Sequence, residues 1–181
     1  IPVTVNVLPN TTITEGPGPN CEAASHFYDV PFNPLCSYTW SLAPVGRGFI
    51  ASGQGTNCIN INWLTHGPAT VDVTGTNTTT TCVSSSTHPL TINPKPIPSF
   101  IACFDQITTP NARKFTLRGA KPNLPVQGVF SGNRVSYNVL TGNYEFDPFG
   151  AMAGIYQVIY TYTNTFGCTA STVPVAIIIQ N

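Results

Sequence analysis

The chain has 181 residues, of which 8% are charged, and its 7 Lys and Arg balance 7 Asp and Glu. A net charge of zero provides no field to attract nucleic acid or an anionic membrane, so we expect no nucleic-acid partner. The 41% share of hydrophobic residues excludes a disordered chain. The longest apolar run, Val175–Ile179, is far shorter than the roughly 20 residues of a membrane span, so we expect no span.

Proline, glycine and cysteine indicate the fold class. The chain contains 17 Pro and 15 Gly, which interrupt short apolar stretches, and no segment keeps a helical period for more than a turn. The 6 cysteines are widely and irregularly spaced and form no CxxC motif, which is typical of disulfides in an oxidising compartment. The sequence therefore predicts an all-β protein that is extracellular or periplasmic.

In chain order, the first predicted unit spans residues 10–94. Some of its stretches alternate apolar and polar residues, as half-buried strands do, and turn residues such as Asn33-Pro34 and Gly67-Pro68 separate them. These stretches are residues 26–30, 37–42, 58–63 and 69–76. Short strands at this spacing predict a β-sandwich or a barrel.

A Pro-rich linker, residues 95–98, precedes the second predicted unit, residues 99–181. Proline at alternate positions favours extended geometry, so we expect a semi-rigid linker. The clearest strands of this unit are residues 115–117, 128–130, 144–146 and 155–162.

A Pro-containing stretch recurs at residues 1–9, 88–96 and 173–179, and the shared prolines lie 87 and 85 residues apart. This spacing is the length of one small sandwich. We interpret the stretches as the last strands of successive units. On this interpretation, residues 1–9 are the last strand or linker of a preceding repeat.

Several motifs of the first unit resemble the PKD-like repeats of Bacteroidetes cell-surface proteins. They are Cys21-Glu22, FYDVP at residues 27–31, SYTW at 37–40, SGQGTN at 52–57 and ININW at 59–63. The second unit is similar to immunoglobulin-like repeats of such proteins at residues 115–119, 146–148, 153–154 and 160–168. The acidic FGDG signature of other PKD domains is absent after Trp40, so no property attached to that signature is expected.

The resemblance implies two tandem immunoglobulin-like (PKD-like) β-sandwiches in a large, modular cell-surface protein exported by the type IX system. It further implies a non-catalytic repeat module of an adhesin, related to gliding motility, whose partners are neighbouring repeats of the same chain and a surface polysaccharide or substratum. Such a module would act as a rigid spacer or as an adhesive surface. The alternative is a carbohydrate-binding or spacer module of an exported polysaccharide-degrading enzyme.

The sequence offers no convergent catalytic set, so we expect neither enzymatic activity nor a cofactor. GxSxG, HExxH and Gly-rich phosphate loops do not occur. The three histidines His26, His66 and His88 lie in unrelated segments, and we interpret them as solvent-facing residues.

Acidic and aromatic residues supply the remaining candidate sites. Glu145 and Asp147 alternate along one strand, and with Asp105 they are weak candidates for a calcium site, although a solvated edge is the favoured interpretation. Tyr156, Tyr160 and Tyr162 share one strand face and could form a carbohydrate platform. The favoured interpretation is again structural, because one face of every sandwich strand belongs to the core.

Trp40 is interpreted as the core tryptophan that packs beside a disulfide in immunoglobulin-type domains. Cys103 and Cys168 are the only cysteines of the second unit, so they pair if each unit closes its own bridge. The first unit has four cysteines, Cys21, Cys36, Cys58 and Cys82, which allow three connectivities.

Spacing favours one of these connectivities. Cys21 and Cys82 are 61 residues apart, close to the 65 residues between Cys103 and Cys168, which supports Cys21–Cys82 and leaves Cys36–Cys58. One observation argues against the Cys36–Cys58 pair, since Cys36 is in phase with the apolar residues of its strand and Cys58 is not. We therefore expect that bridge at strand ends.

Overall fold

A computed structural model describes residues 6–122 and 128–181 of the chain. This part contains strands and turns and no helix, so no helix in it could cross a membrane. The all-β prediction is confirmed. The chain divides into two compact units, Ile1–Lys95 and Pro96–Asn181, and each unit has a hydrophobic core of its own.

Unit one contains seven strands within the described residues, and its four predicted stretches all lie in strands. The strands are β1 (Thr14–Glu15), β2 (Ser25–Asp29), β3 (Cys36–Ala43), β4 (Gly48–Ser52), β5 (Cys58–Trp63), β6 (Gly67–Asn77) and β7 (Val83–Ile92). One sheet has the order β1-β2-β5-β4 and the other the order β3-β6-β7, and all pairs are antiparallel. This is the strand arrangement of an immunoglobulin-type sandwich.

The core of unit one lies between these sheets and follows the predicted alternation. Ile59, Ile61 and Trp63 project inward from β5, while Tyr38 and Trp40 project inward from β3. The fully buried side chains include both tryptophans of the chain. Burial of such large side chains contributes about 1.5–3 kcal/mol each, which makes this core the main source of stability.

Unit two contains ten strands within its described residues, and most of them are short. They are β8 (Ser99–Phe100), β9 (Ile107–Thr108), β10 (Phe115–Thr116), β11 (Ala120–Lys121), β12 (Gly128–Ser131), β13 (Val135–Asn138), β14 (Asn143–Phe146), β15 (Gly154–Thr163), β16 (Thr169–Ser171) and β17 (Val175–Ile179). The main sheet has the order β12-β15-β17-β9, with β17 and β9 parallel and β16 also paired with β15. A second sheet has the order β10-β14-β13, and β11 pairs with β8.

The core of unit two is aromatic. Phe146, Tyr160 and Tyr162 are buried, and Phe130 lies against Tyr160 with ring centroids 4.9 Å apart. Gly128 lies opposite Tyr162 in the β12–β15 pair, and a Cβ atom at this position would collide with the Tyr160 hydroxyl. The close contact therefore requires glycine.

The recurring Pro-containing stretch lies in the last strand of each unit, at β7 and β17. Residues 1–9 are predicted to be the last strand or linker of a preceding repeat. Of these, residues 1–5 lie outside the described part of the chain. Residues 6–9 are not in a strand, and Pro9 is buried.

Candidate functional site

The SGQGTN motif forms a connection between the two sheets of unit one. Gln54 follows β4, and its side-chain amide donates to the Trp40 carbonyl at 2.8 Å and accepts from the Trp40 N–H at 2.9 Å. These bonds occupy the free edge of β3 as a neighbouring strand would. The Trp40 indole N–H also donates to the Thr56 carbonyl at 2.8 Å. Trp40 is thus a core residue, as predicted, and the motif holds it in place.

The conformation of this loop depends on Gly53. Its φ angle is +89°, and a Cβ atom would collide with the Cys58 carbonyl oxygen. The Thr56 hydroxyl lies 2.8 Å from the Gly53 carbonyl oxygen and 2.7 Å from that of Cys58, and its hydrogen bonding closes the turn. Both features have a structural role in this loop.

Two of the three histidines meet on one carboxylate. The Glu15 side chain lies 3.4 Å from His26 Nε2 and 3.1 Å from His88 Nε2, and it accepts a hydrogen bond from Asn20 at 2.5 Å. His26 is buried and His88 is half-buried, so the prediction that they face solvent is wrong. Glu15 belongs to β1, whose two residues are too few to show alternation in the sequence, and the cluster was therefore missed.

This cluster continues into the core through Tyr28. The Tyr28 hydroxyl donates to Asn20 Oδ1 at 2.6 Å, and its ring lies 5.4 Å from His26 and 6.1 Å from His88. Burial, with the nearby Glu15 charge as a smaller cause, raises the Tyr28 pKa well above its usual value. Because Glu15 is in β1 and His88 in β7, the network joins edge strands of the two sheets. Its polar groups satisfy one another, which is what burial requires.

The third histidine makes a separate surface pair. His66 Nδ1 lies 3.2 Å from the Glu22 carboxylate, and His66 is exposed. Glu22 Oε2 also accepts from the Lys95 N–H at 3.4 Å. An exposed pair of this kind contributes little, about 0–1 kcal/mol.

The three acidic residues of unit two that are candidates for a calcium site lie in different environments. Glu145 accepts a hydrogen bond from the Asn138 amide at 2.9 Å and pairs with Lys114 at 3.1 Å. These contacts, the Asn138 bond first, hold the Glu145 pKa below its usual value. Asp147 accepts from the Phe149 N–H at 3.0 Å, and Asp105 is exposed. In the described residues, no group of three or more His, Cys, Asp or Glu side chains could hold a metal ion.

The tyrosines of β15 are core residues. Tyr160 and Tyr162 are buried and Tyr156 is half-buried against the same cluster. The Tyr160 hydroxyl donates to the Pro122 carbonyl at 2.5 Å. These rings do not present a flat face to solvent, so they do not form a carbohydrate platform.

The predicted disulfide pairs differ from those that the structure contains. Cys21 and Cys168 each take part in a disulfide, and the other cysteines are free thiols, namely Cys36, Cys58, Cys82 and Cys103. Cys21 pairs with Asn93 directly after β7, whereas Cys82 directly precedes β7. The length of β7, roughly 33 Å at 3.3 Å per residue, separates these cysteines and exceeds any disulfide span.

The other two predicted pairs are also absent. Cys36 is in phase with the buried residues of β3, whereas Cys58 projects to the outside of the opposite sheet, so their side chains diverge. Cys103 is exposed and Cys168 is buried. The similar separations in sequence were therefore misleading, because they do not report where along a strand each cysteine lies.

Comparison with known protein families identifies the first unit. The model of the PKD-like domain family matches residues 7–92, which is just under half of the chain and almost the whole of unit one. Unit one is similar to PKD-like domains. Domains of this kind are generally non-catalytic modules, and together with a disulfide they are of an extracellular type. No curated protein matches the chain.

Among solved structures, the chain is similar to the fibronectin(III)-like modules of CbhA from Clostridium thermocellum, with 10% identity, a TM-score of 0.48 and 93% of each chain covered. It is also similar to titin A168169, with 14% identity, a TM-score of 0.30 and 91% of this chain and 95% of that chain covered. Mouse cadherin-23 EC22-24 gives 14% identity, a TM-score of 0.27 and 92% and 61% coverage.

Proposed function

We propose that the chain is a non-catalytic repeat module of a large bacterial cell-surface adhesin, related to gliding motility and exported by the type IX system. It acts as a rigid spacer, as an adhesive surface, or as both. The observation that carries the proposal is that the polar side chains of Gln54, Glu15 and Glu145 are all engaged in bonds within their own unit. A PKD-like domain with its polar groups committed to structure suits a mechanical role.

Non-covalent contacts between segments at three places in unit one support its rigidity. The Gln54 side chain holds β3, and the Glu15 network joins β1 to β7. At the end of β7, Asn93 donates its N–H to the Asn20 carbonyl and accepts from the Glu22 N–H at 2.7 and 2.9 Å. A sandwich tied at both edges opens only when several bonds break together.

The alternative function, a carbohydrate-binding or spacer module of an exported polysaccharide-degrading enzyme, has less support. Its main sequence evidence was the tyrosine face of β15, and those rings are part of the core. Tyr137 is the tyrosine that remains about half exposed, at 49%, and its ring is tilted by 55° against Tyr144. A tilted pair does not offer the flat surface that a sugar ring stacks on.

Single-molecule stretching of the chain under reducing conditions, which open the disulfides of Cys21 and Cys168, with a tether at each end, tests the spacer role. We expect two discrete unfolding events, one for each core, and a lower unfolding force for unit one in the Gln54→Ala variant. Gln157→Ala, an exposed position of β15, serves as the matched control. A gradual extension without discrete events would contradict a rigid spacer.

Binding and turnover assays test the other roles. Beads coated with the folded chain are expected to attach to glass or polysaccharide surfaces if the module is adhesive, and beads with heat-unfolded chain are the control. Specific capture of a soluble polysaccharide would favour the alternative function. Turnover of a glycan, ester or peptide substrate that one His or acid substitution abolishes would overturn the non-catalytic assignment.

A further inference from the structure

An open cleft of about 620 Å³ lies on unit one. It forms where the end of β3, the start of β6 and the end of β7 are adjacent. Ala43, Thr70 and Pro89 make one cross-strand row, because Ala43 pairs with Thr70 and Thr70 with Pro89. Pro68 and Thr91 make the next row. The volume is within the range of small-molecule and peptide sites.

The surface of this cleft is mainly apolar. Pro44, Pro68 and Pro89 line it together with Ala43, Ala69 and Leu90. Proline rings are rigid and have no rotamer freedom to lose, so they lose little conformational entropy when an apolar group binds against them. The only hydroxyl groups in the lining belong to Thr70 and Thr91, and the Thr70 hydroxyl already donates to Asp72 at 3.1 Å.

One cation, Arg47, completes the lining, and no acidic residue belongs to it. Arg47 is the single Lys or Arg among residues 1–94. Its Nη1 donates to the Thr65 hydroxyl at 3.2 Å and to the His66 carbonyl. The guanidinium group also lies over Gly67, where a Cβ atom would be 3.0 Å from Nη1. The side chain is therefore held in one orientation.

Arg47 nevertheless has no acidic partner in the part of the chain that the structure describes. Among the described residues no carboxylate lies within ion-pair distance of its guanidinium group. Guanidinium groups bind carboxylates with directed, charge-assisted hydrogen bonds.

We propose that the Arg47 cleft binds a peptide segment that carries a carboxylate beside apolar side chains. The positive charge, which no acidic residue of the lining neutralises, complements the carboxylate, and the proline rings accommodate the apolar side chains. Saccharides fit this lining less well, because it contains no aromatic ring and only the two threonine hydroxyls. The site does not depend on whether the module is a spacer or an adhesive surface.

The test uses two-dimensional NMR of the complete ¹⁵N-labelled chain. The probes are N-acetyl-leucyl-leucine with a free carboxylate and the same compound as its carboxamide. The free acid should shift the amide signals of Ala69, Thr70, Leu90 and Thr91. The carboxamide should bind at least about tenfold more weakly, since a hydrogen bond to a charged group is lost.

Variants separate the role of Arg47 from general charge. Arg47→Gln should weaken binding of the free acid by about tenfold or more, and Arg118→Gln, which removes an exposed cation of unit two, should leave it unchanged. If Arg47→Gln fails to fold, the comparison of acid and carboxamide on the unaltered chain decides. Equal binding of both probes, shifts confined to other surfaces, or no shifts at all would overturn the proposal.

Discussion

At the scale of single residues, Gln54 shows how a side chain can replace a strand. Its amide group provides one donor and one acceptor, the same pair that a backbone peptide offers, and both are directed at Trp40. The result is an edge of β3 that no other chain can pair with at this position. The residue following β4 thus protects an edge and positions the core tryptophan at the same time.

Replacing Gln54 with Ala should lower the free energy of unfolding of unit one by about 1–3 kcal/mol, because a backbone N–H and a C=O of a core strand lose their partners. Chemical unfolding followed by tryptophan fluorescence measures this directly, since Trp40 and Trp63 are the only tryptophans and both belong to unit one. Gln157→Ala should leave the transition unchanged. An equal loss in both variants would refute the specific role of Gln54.

The cysteines lead to a second prediction at this scale. In the native protein under non-reducing conditions, iodoacetamide should modify the exposed Cys58 and Cys103 first, and the half-buried Cys36 and Cys82 more slowly, because access limits thiol reactivity. The remaining cysteines, Cys21 and Cys168, should react only after reduction. Peptide mass mapping gives the order. Protection of Cys58 or Cys103 before reduction would contradict the structure.

At the scale of elements, the edge of β7 is protected by its sequence. Asn93, directly after β7, directs its backbone N–H and C=O toward the segment around Cys21. Backbone groups alternate sides along a strand, so the odd-numbered residues of β7 direct theirs to this same free edge. Pro89 is one of them and has no N–H. The proline therefore removes a donor where another strand could otherwise pair.

Replacing Pro89 with Thr should increase self-association, because it restores an N–H to the free edge of β7 and makes a template for strand pairing. Light scattering as a function of concentration measures the effect. Ser85→Thr, another odd-numbered position of β7, is the matched control because it adds no backbone donor. Unchanged scattering for Pro89→Thr would show that this edge is blocked by some other feature.

The strands with strong alternation were predictable, and the short ones were not. Residues 58–63 show five alternating positions after Cys58 and lie in β5 as expected. The two-residue strands, such as β1 and β9, have no period, and their pairing depends on partners distant in the sequence. Glu15 therefore has no signal that would connect it to His26 and His88, although each residue is visible in the sequence.

At the scale of the whole molecule, the small number of charges leaves few groups to control stability as pH changes. Glu145 is one of them. Its pKa is lowered in the folded state, chiefly by the Asn138 hydrogen bond and the Lys114 pair. A lowered pKa stabilises the fold above the unfolded-state value of about 4.3, and this contribution is lost as pH falls through the folded value.

Acidification below about pH 4 should therefore destabilise unit two, and Glu145→Gln should flatten the dependence in this range. The near-ultraviolet circular dichroism of tyrosine follows unit two, which contains five of the 7 tyrosines. Asp147→Asn removes a neighbouring carboxylate outside the Lys114 pair and should retain most of the dependence. If acidification does not lower the stability of unit two in the unaltered protein, the role assigned to Glu145 is contradicted.

Buried tyrosines of unit one should make its stability depend on alkaline pH. Burial raises the pKa of Tyr28 and Tyr38 in this unit, whereas the unfolded chain ionises its tyrosines near pH 10. Below about pH 10 both states keep their protons and stability is complete. Above it, the unfolded state binds fewer protons than the folded state, so stability falls with rising pH.

This dependence is measurable as the denaturant midpoint of unit one between pH 8 and 11, read from tryptophan fluorescence. Tyr28→Phe should be less stable than the unaltered protein at pH 8, because the hydrogen bond to Asn20 is lost, yet its stability should fall less steeply above about pH 10. Tyr137→Phe, at a half-exposed position of unit two, should reproduce the unaltered slope. If Tyr28→Phe keeps the full slope, the buried hydroxyl of Tyr28 is not the group that links stability to alkaline pH.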